Sequence, residues 1–139
     1  GGLVGVLLTR PPGASDYFDR GYTTYAYDSL REDLAVARET LDDHGAVSAP
    51  VVREMARAAR DRARADWGVA TAAVAGPSGG TEELPVGTAF VGIAVAAPWE
   101  SGESWTRARR YEFDGDRAAV REHVARQALR DLDEAVRDD

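Results

Sequence analysis

AGPSGGTEELPVGTAFVGIA, residues 75–94, joins two apolar stretches, Trp67 to Ala75 and Val86 to Ala97, through a short glycine-rich loop. The connection is too short to carry a crossover helix, so the two stretches are expected to pair as antiparallel neighbours. Both are apolar with little alternation, the pattern of central strands covered on two faces. Gly76, Gly79 and Gly80 can adopt backbone angles closed to other residues and expose their amides, so a phosphate or another anion could rest against N–H groups here. A plain strand connection has the same composition. No Lys follows the glycines as in a P-loop, and the spacing is not that of a GxGxxG dinucleotide turn.

Working outward, helical and strand patterns alternate. Leu3 to Thr9 is unbroken and apolar and stops at Arg10-Pro11-Pro12-Gly13, which reads as the end of a helix that starts upstream. Tyr17 to Tyr27 is dense in Tyr and Thr and is predicted as a strand, with Gly21 as a possible bulge. Short helices are predicted from Asp28 to Val36 and from Arg38 to Asp43. Ser48 and Pro50 then open a longer helix. Val51, Val52, Met55, Ala56, Ala59 and Ala63 mark its buried face, and Arg53, Arg57, Arg60 and Arg64 are assigned to solvent. Ser104 to Phe113 reads as a hairpin partner strand with a more exposed face, and Asp116 caps a final helix with Val120, Val124, Ala128, Leu132 and Val136 at four-residue steps. The expected fold is a single α/β domain over residues 1–139, a three-layer α/β/α sandwich with a mixed β-sheet.

Composition excludes several functions. The net charge is −7, all 17 basic residues are Arg, and Lys, Asn and Cys are absent. An acidic chain repels polyanions, so no nucleic-acid partner is expected. Without Cys there is no thiolate metal site or nucleophile, and the two histidines, His44 and His123, read as surface or helix-end residues; no metal and no cofactor are expected. No apolar run reaches the roughly 18 residues of a membrane span. The protein is therefore expected to be cytoplasmic, with no membrane partner. An acidic, lysine-free, alanine-rich chain is the composition expected of a salt-adapted, GC-rich organism. The start at Gly1-Gly2 without Met leads to the expectation that an N-terminal segment precedes the sequence.

PGAS at 12–15, an aromatic segment ending at Tyr25, HGAVS at 44–48, AGPSGGT at 75–81, PVGT at 85–88 and FDGDRAAVR at 113–121 follow one another in an order that resembles the C-terminal domain of the competence/damage-inducible protein CinA. Salt-loving archaea carry such proteins with this acidic, Arg-only character. The resemblance implies the three-layer fold with a mixed sheet. It also implies hydrolysis of the carboxamide of nicotinamide mononucleotide to nicotinic acid mononucleotide and ammonia, a small-molecule nucleotide substrate. Such chemistry needs a nucleophile, a base, donors for the oxyanion and a pocket for the phosphate. Gly1 and Gly2 match the glycines that follow the family's nucleophilic serine, which would lie upstream. Ser15 matches the second serine of a Pro-Gly-Ser-Ser turn, Tyr25 opens the family's Tyr-Ser-Asn-x-x-Lys segment, and Arg117 matches an arginine suited to an anionic group. With Gly76, Gly79, Gly80 and Thr81 these form the implied site.

Two positions depart from the family pattern. Leu30 stands where the family has Lys, the candidate base, and the adjacent Arg31 stays protonated and cannot replace it. Ala72 stands where the family has a threonine. Thr71 is one position away and points to the opposite face of a strand. Two readings remain open: an amidohydrolase with an altered catalytic set, or a degenerate nucleotide-binding or oligomerising domain. Self-association is expected, with Trp99 and Trp105 available for a subunit contact.

Overall fold

The computed structural model describes residues 1–98 and 100–138. Its helices are α1 (Leu3–Thr9), α2 (Tyr27–Leu34), α3 (Arg38–His44), α4 (Ala49–Ala63) and α5 (Arg117–Asp138), and its strands are β1 (Trp67–Ala73), β2 (Thr88–Val95) and β3 (Trp105–Glu112). A short 3₁₀ turn lies at Ala14–Asp16. The architecture is the expected three-layer α/β sandwich: α4, backed by α2 and α3, covers one face of the sheet, and α5 with α1 covers the other.

The sheet order is β1-β2-β3. As the loop length demanded, β1 and β2 are antiparallel, with Trp67 opposite Val95 and Ala73 opposite Ala89. β2 and β3 are also antiparallel, with Thr88 opposite Glu112. Among the described residues the sheet is therefore antiparallel throughout, not mixed. The segment that would have supplied a further strand, Tyr17–Tyr27, forms none: residues 18–26 make no ladder bonds and α2 begins at Tyr27. Its strand-like alternation survives in part, with Tyr22 and Thr24 half-buried between exposed Gly21, Thr23 and Tyr25. An extended segment becomes a strand only when its backbone finds a ladder partner. Here a cleft separates it from β1.

β2 is buried along its whole length. α4 crosses it closely because Gly92 has no side chain: a Cβ there would run into the Val52 carbonyl, and one on Gly68 into that of Ala56. Ser48 caps α4, its Oγ accepting from the Val51 N–H at 3.4 Å. Val51, Val52, Met55 and Ala56 join Leu30, Leu34 and Leu41 in the larger core cluster. Arg60 corrects the sequence reading. It is 8% exposed rather than solvated, its Nη1 donating to the Val95 carbonyl at 2.7 Å and its Nε to Asp61 Oδ1 at 2.8 Å. On the other face Asp116 caps α5 through Oδ1, which accepts from the Ala119 N–H at 2.9 Å. Val120 and Val124 pack on Ala89, and Ala128 and Ala135 pack on Val91 and Ile93.

Trp105 stands edge-on to Trp67, ring centroids 6.0 Å apart, and both are half-buried within the subunit. Trp99, the other residue considered for a subunit contact, lies outside the described residues. Among the described residues no helix is long and apolar enough to cross a membrane.

Candidate functional site

The ladder fixes which backbone groups of β1 are free. The Ala96 N–H donates to the Asp66 carbonyl at 2.8 Å, and the Val74 N–H to the Thr88 carbonyl at 2.9 Å, so the even-numbered residues between them face β2. In an antiparallel ladder the alternate residues point the other way. Trp67, Val69, Thr71 and Ala73 therefore turn their N–H and C=O away from β2, to an edge that no other strand among the described residues pairs with. A cleft of about 500 Å³ wraps around this edge. One lobe reaches the α4 side, against Leu30, Val47, Met55 and Ala72; the other reaches the α5 side, against Thr71, Ala73 and Val124. The extended segment Thr23–Tyr25 forms the opposite wall.

The first turn of α5 supplies the charge. Arg117 spans the end of the cleft: its Nη1 donates to the Gly76 carbonyl at 2.8 Å and its Nη2 to Tyr25 Oη at 3.3 Å. Tyr25 is 83% exposed, so its ring stands on the rim rather than in the core. Arg121, four residues on and therefore on the same helix face, lines the cleft as well. Among the described residues no carboxylate pairs with either guanidinium within 4.0 Å. No Asp or Glu is among the lining residues, although the chain has 24. The cleft thus has an apolar floor and a cationic rim.

The structure brings Tyr25, Arg117 and Gly76 together and places Leu30 in the wall beside them, 6% exposed and packed into the core. Ser15 sits exposed on the 3₁₀ turn and does not line the cleft. Gly79, Gly80 and Thr81 are exposed in the β1–β2 loop and do not line it either. Their geometry serves the loop itself. Thr81 Oγ1 accepts from the Leu84 N–H at 3.0 Å, and Val86 folds back on the glycines so tightly that a Cβ on Gly76 would meet its Cγ1 at 2.6 Å. Thr71 does face the α5 layer, as strand alternation requires, yet it still lines the cleft because the cleft passes around the strand edge. Arg121, Thr23, Thr24 and Thr71 were not selected from sequence. The four-residue step from Arg117 was the available signal for Arg121; nothing local in the sequence points to the threonines.

His44 ends α3 and is exposed, and His123 lies on α5, stacked on Phe113 with centroids 5.5 Å apart. Away from the cleft, β3 and α5 share a buried polar network. Asp131, 2% exposed, accepts from Tyr111 Oη at 2.8 and 2.7 Å and from Gln127 Nε2 at 3.0 Å. Burial pushes the Tyr111 phenol above its ordinary value, and the hydrogen bond to Asp131 pushes it the same way. Arg109 grips Glu134 with two bonds of 2.8 and 3.0 Å, and this contact holds the Glu134 carboxyl below the usual range.

The chain is thus an α/β layered domain whose edge cleft joins an apolar floor to two arginines that no carboxylate pairs with among the described residues. Within that class the chain belongs to the CinA C-terminal domain family, which it matches over residues 1–136. It is 46% identical over 132 residues to the nicotinamide-nucleotide amidohydrolase PncC of Escherichia coli K12, covering 95% of this chain and 76% of that protein. It is 47% identical over 137 residues to a CinA-like protein of Anaeromyxobacter sp. strain K, covering 99% of this chain and 32% of the larger protein. Among solved structures it resembles competence damage-inducible protein A of Klebsiella pneumoniae, with a TM-score of 0.88 and 31% identity over 98% of this chain and 80% of that one. It is also similar to the competence/damage-inducible protein CihA of Agrobacterium tumefaciens, with a TM-score of 0.86 and 35% identity over 95% of this chain and 77% of that one.

Proposed function

We propose that the chain is a nicotinamide-nucleotide amidohydrolase domain that hydrolyses the carboxamide of nicotinamide mononucleotide, giving nicotinic acid mononucleotide and ammonia. The observation that carries this reading is the pair of unpaired guanidiniums, Arg117 and Arg121, on the rim of a cleft without carboxylates in a chain of net charge −7. Their planar forks suit a phosphate. Leu30, Val47 and Met55 offer the apolar surface that a pyridine ring needs, and 46% identity to PncC supports the substrate class. Tyr25, bonded to Arg117 on the rim, is the candidate hydroxyl for the reaction. Ser15 as a direct participant would require the turn at Ala14–Asp16 to approach the cleft.

A second reading, nucleotide binding without turnover, is favoured by a specific observation. The resemblance puts the family's base position at buried Leu30, and among the described residues no Lys, His, Asp or Glu lines the cleft. Ammonia release from nicotinamide mononucleotide, with a parallel binding titration, tests both. Turnover supports the hydrolase, binding without turnover supports the second reading, and neither refutes both.

A further inference from the structure

We propose that the outer layer formed by α3 and α4 is a self-association face, on which a second copy of this chain docks in a two-fold arrangement, α4 of each protomer against α3 of its partner. α4 carries Arg53 and Arg57, and α3 carries Glu39 and Asp43; each pair is four residues apart, so its two like charges share one helix face. All four side chains are exposed, and among the described residues none has an opposite charge within 4.0 Å. Neither pair lines the cleft, so the face is independent of it.

Within one chain this placement is unfavourable. Like charges at a four-residue spacing repel and weaken the helix that carries them. Asp43 adds a second penalty, because it lies in the last turn of α3, where the helix dipole is negative. No ion pair among the described residues offsets either cost. On α5, by contrast, arginines at the same spacing do meet carboxylates: Arg126 reaches Glu122 at 3.0 Å and Arg137 reaches Asp133 at 2.9 Å.

Charge selects the occupant. A chain of net charge −7 resists a second copy over most of its surface, and Arg53 with Arg57 forms a local exception. α3 packs against α4, so the acidic pair lies beside the basic one in the same layer. A half-turn about an axis in that surface, passing between the pairs, sets each arginine pair over the partner's carboxylates, and the contact is made twice. An unrelated polyanion would meet the arginines but also Glu39 and Asp43. A dimer held by exposed ion pairs is weak and sensitive to salt.

Sedimentation equilibrium of the intact protein over a concentration series, in low salt and in high sodium chloride, tests this. A dimer is expected in low salt, its dissociation constant rising at least about tenfold in high salt. Arg53→Glu with Arg57→Glu makes both pairs acidic, and Glu39→Arg with Asp43→Arg makes both basic. Each double variant alone should dimerise at least about 30-fold more weakly than the parent, since every reversal counts twice across a two-fold contact. Mixed in equal amounts they are complementary at all four positions and should pair at least as tightly as the parent. A parent that stays monomeric up to about 1 mM in low salt, a dimer unmoved by salt and by the reversals, or folded variants that do not pair when mixed each overturns the assignment. If a double variant does not fold, the single changes Arg57→Glu and Asp43→Arg take its place, with the same order of outcomes.

Discussion

Replacing Arg117 with Ala removes a two-pronged phosphate ligand from the cleft rim, and its effect on binding can be worked from the geometry. A charge-assisted hydrogen bond contributes about 1.5–3 kcal/mol. Arg117 is exposed to solvent, so the lower part of that range applies, about 1.5–2 kcal/mol. The dissociation constant for nicotinamide mononucleotide should therefore rise about 10- to 30-fold. Arg117→Lys keeps the charge but not the fork, and should fall between the parent and Arg117→Ala. Arg121→Ala should weaken binding comparably, and the double variant by less than the product of the two, since both arginines serve one phosphate. Stability is a separate matter. Arg117 donates to the buried Gly76 carbonyl at 2.8 Å, so Arg117→Ala should also lower the unfolding free energy by about 1 kcal/mol, whereas Arg121, with no such bond, should leave it unchanged. Titration at two salt concentrations with urea unfolding of each variant separates the effects. The parent's affinity should fall with salt, and that of Arg117→Ala should fall less steeply. If Arg117→Ala and Arg121→Ala both bind as tightly as the parent at low salt, with the same salt dependence, the cationic rim is not the phosphate site.

Tyr111→Phe should cost about 1–3 kcal/mol by urea unfolding, because it removes the phenolic donor that lies 2.8 and 2.7 Å from the two oxygens of buried Asp131. Since the folded Tyr111 phenol titrates above the ordinary 10.0, its contribution is present below about pH 10 and lost as pH rises through the folded value; that alkaline loss should shrink in Tyr111→Phe. Gly92→Ala should cost more than about 2 kcal/mol or prevent folding, because its Cβ would enter the Val52 backbone, whereas Gly79→Ala meets nothing within 4 Å and should cost only the strain of a φ of 90°, about 1–2 kcal/mol; thermal melts distinguish them. Leu30→Lys should lower stability by several degrees in a melt and, if the missing base is what limits catalysis, raise ammonia release; a folded Leu30→Lys with unchanged release would remove that explanation.

The parts of the fold legible in the sequence are those set by local rules. Ser48 and Pro50 opened α4, Asp116 opened α5, and the loop between Ala75 and Val86 forced β1 and β2 to be antiparallel neighbours. The Tyr17–Tyr27 strand failed because Tyr and Thr content reports a fit to a pleated surface, not the presence of a partner. Arg60 was misplaced for a related reason: helical periodicity put it on the polar side, but Gly68 lets α4 approach so closely that its stem is covered and its guanidinium reaches Val95. In the site, Tyr25 and Arg117 were found from family motifs, and they meet although they are 92 residues apart. The glycine loop drew attention for its amides, yet none of Gly76, Gly79 and Gly80 lines the cleft, and Gly76 is tied to it only through the bond its carbonyl accepts from Arg117. Arg121 was legible through its four-residue spacing, while Thr23, Thr24 and Thr71 enter only because the cleft turns around a strand edge, a feature of tertiary structure.

The altered positions have unequal consequences for binding and for chemistry. Leu30 is buried against α4, where an apolar side chain contributes about 1.5–3 kcal/mol to folding and a lysine would have to be desolvated. The exchange of Lys for Leu that the resemblance implies at this place would trade a proton-transfer group for core stability. The phosphate end faces no such conflict. Arg117 and Arg121 lie on an exposed helix turn, where a charge costs little, and they can persist whether or not turnover does. Ala72 sits between these extremes: the hydroxyl that the resemblance implies is lost there, while the strand backbone that carries it stays paired with β2. In the proposed reading, ligand recognition in this cleft rests on the exposed guanidiniums, whereas turnover needs a base where this chain has buried Leu30. That separation is why affinity for the nucleotide is expected to survive in this chain even if the ammonia assay finds no hydrolysis.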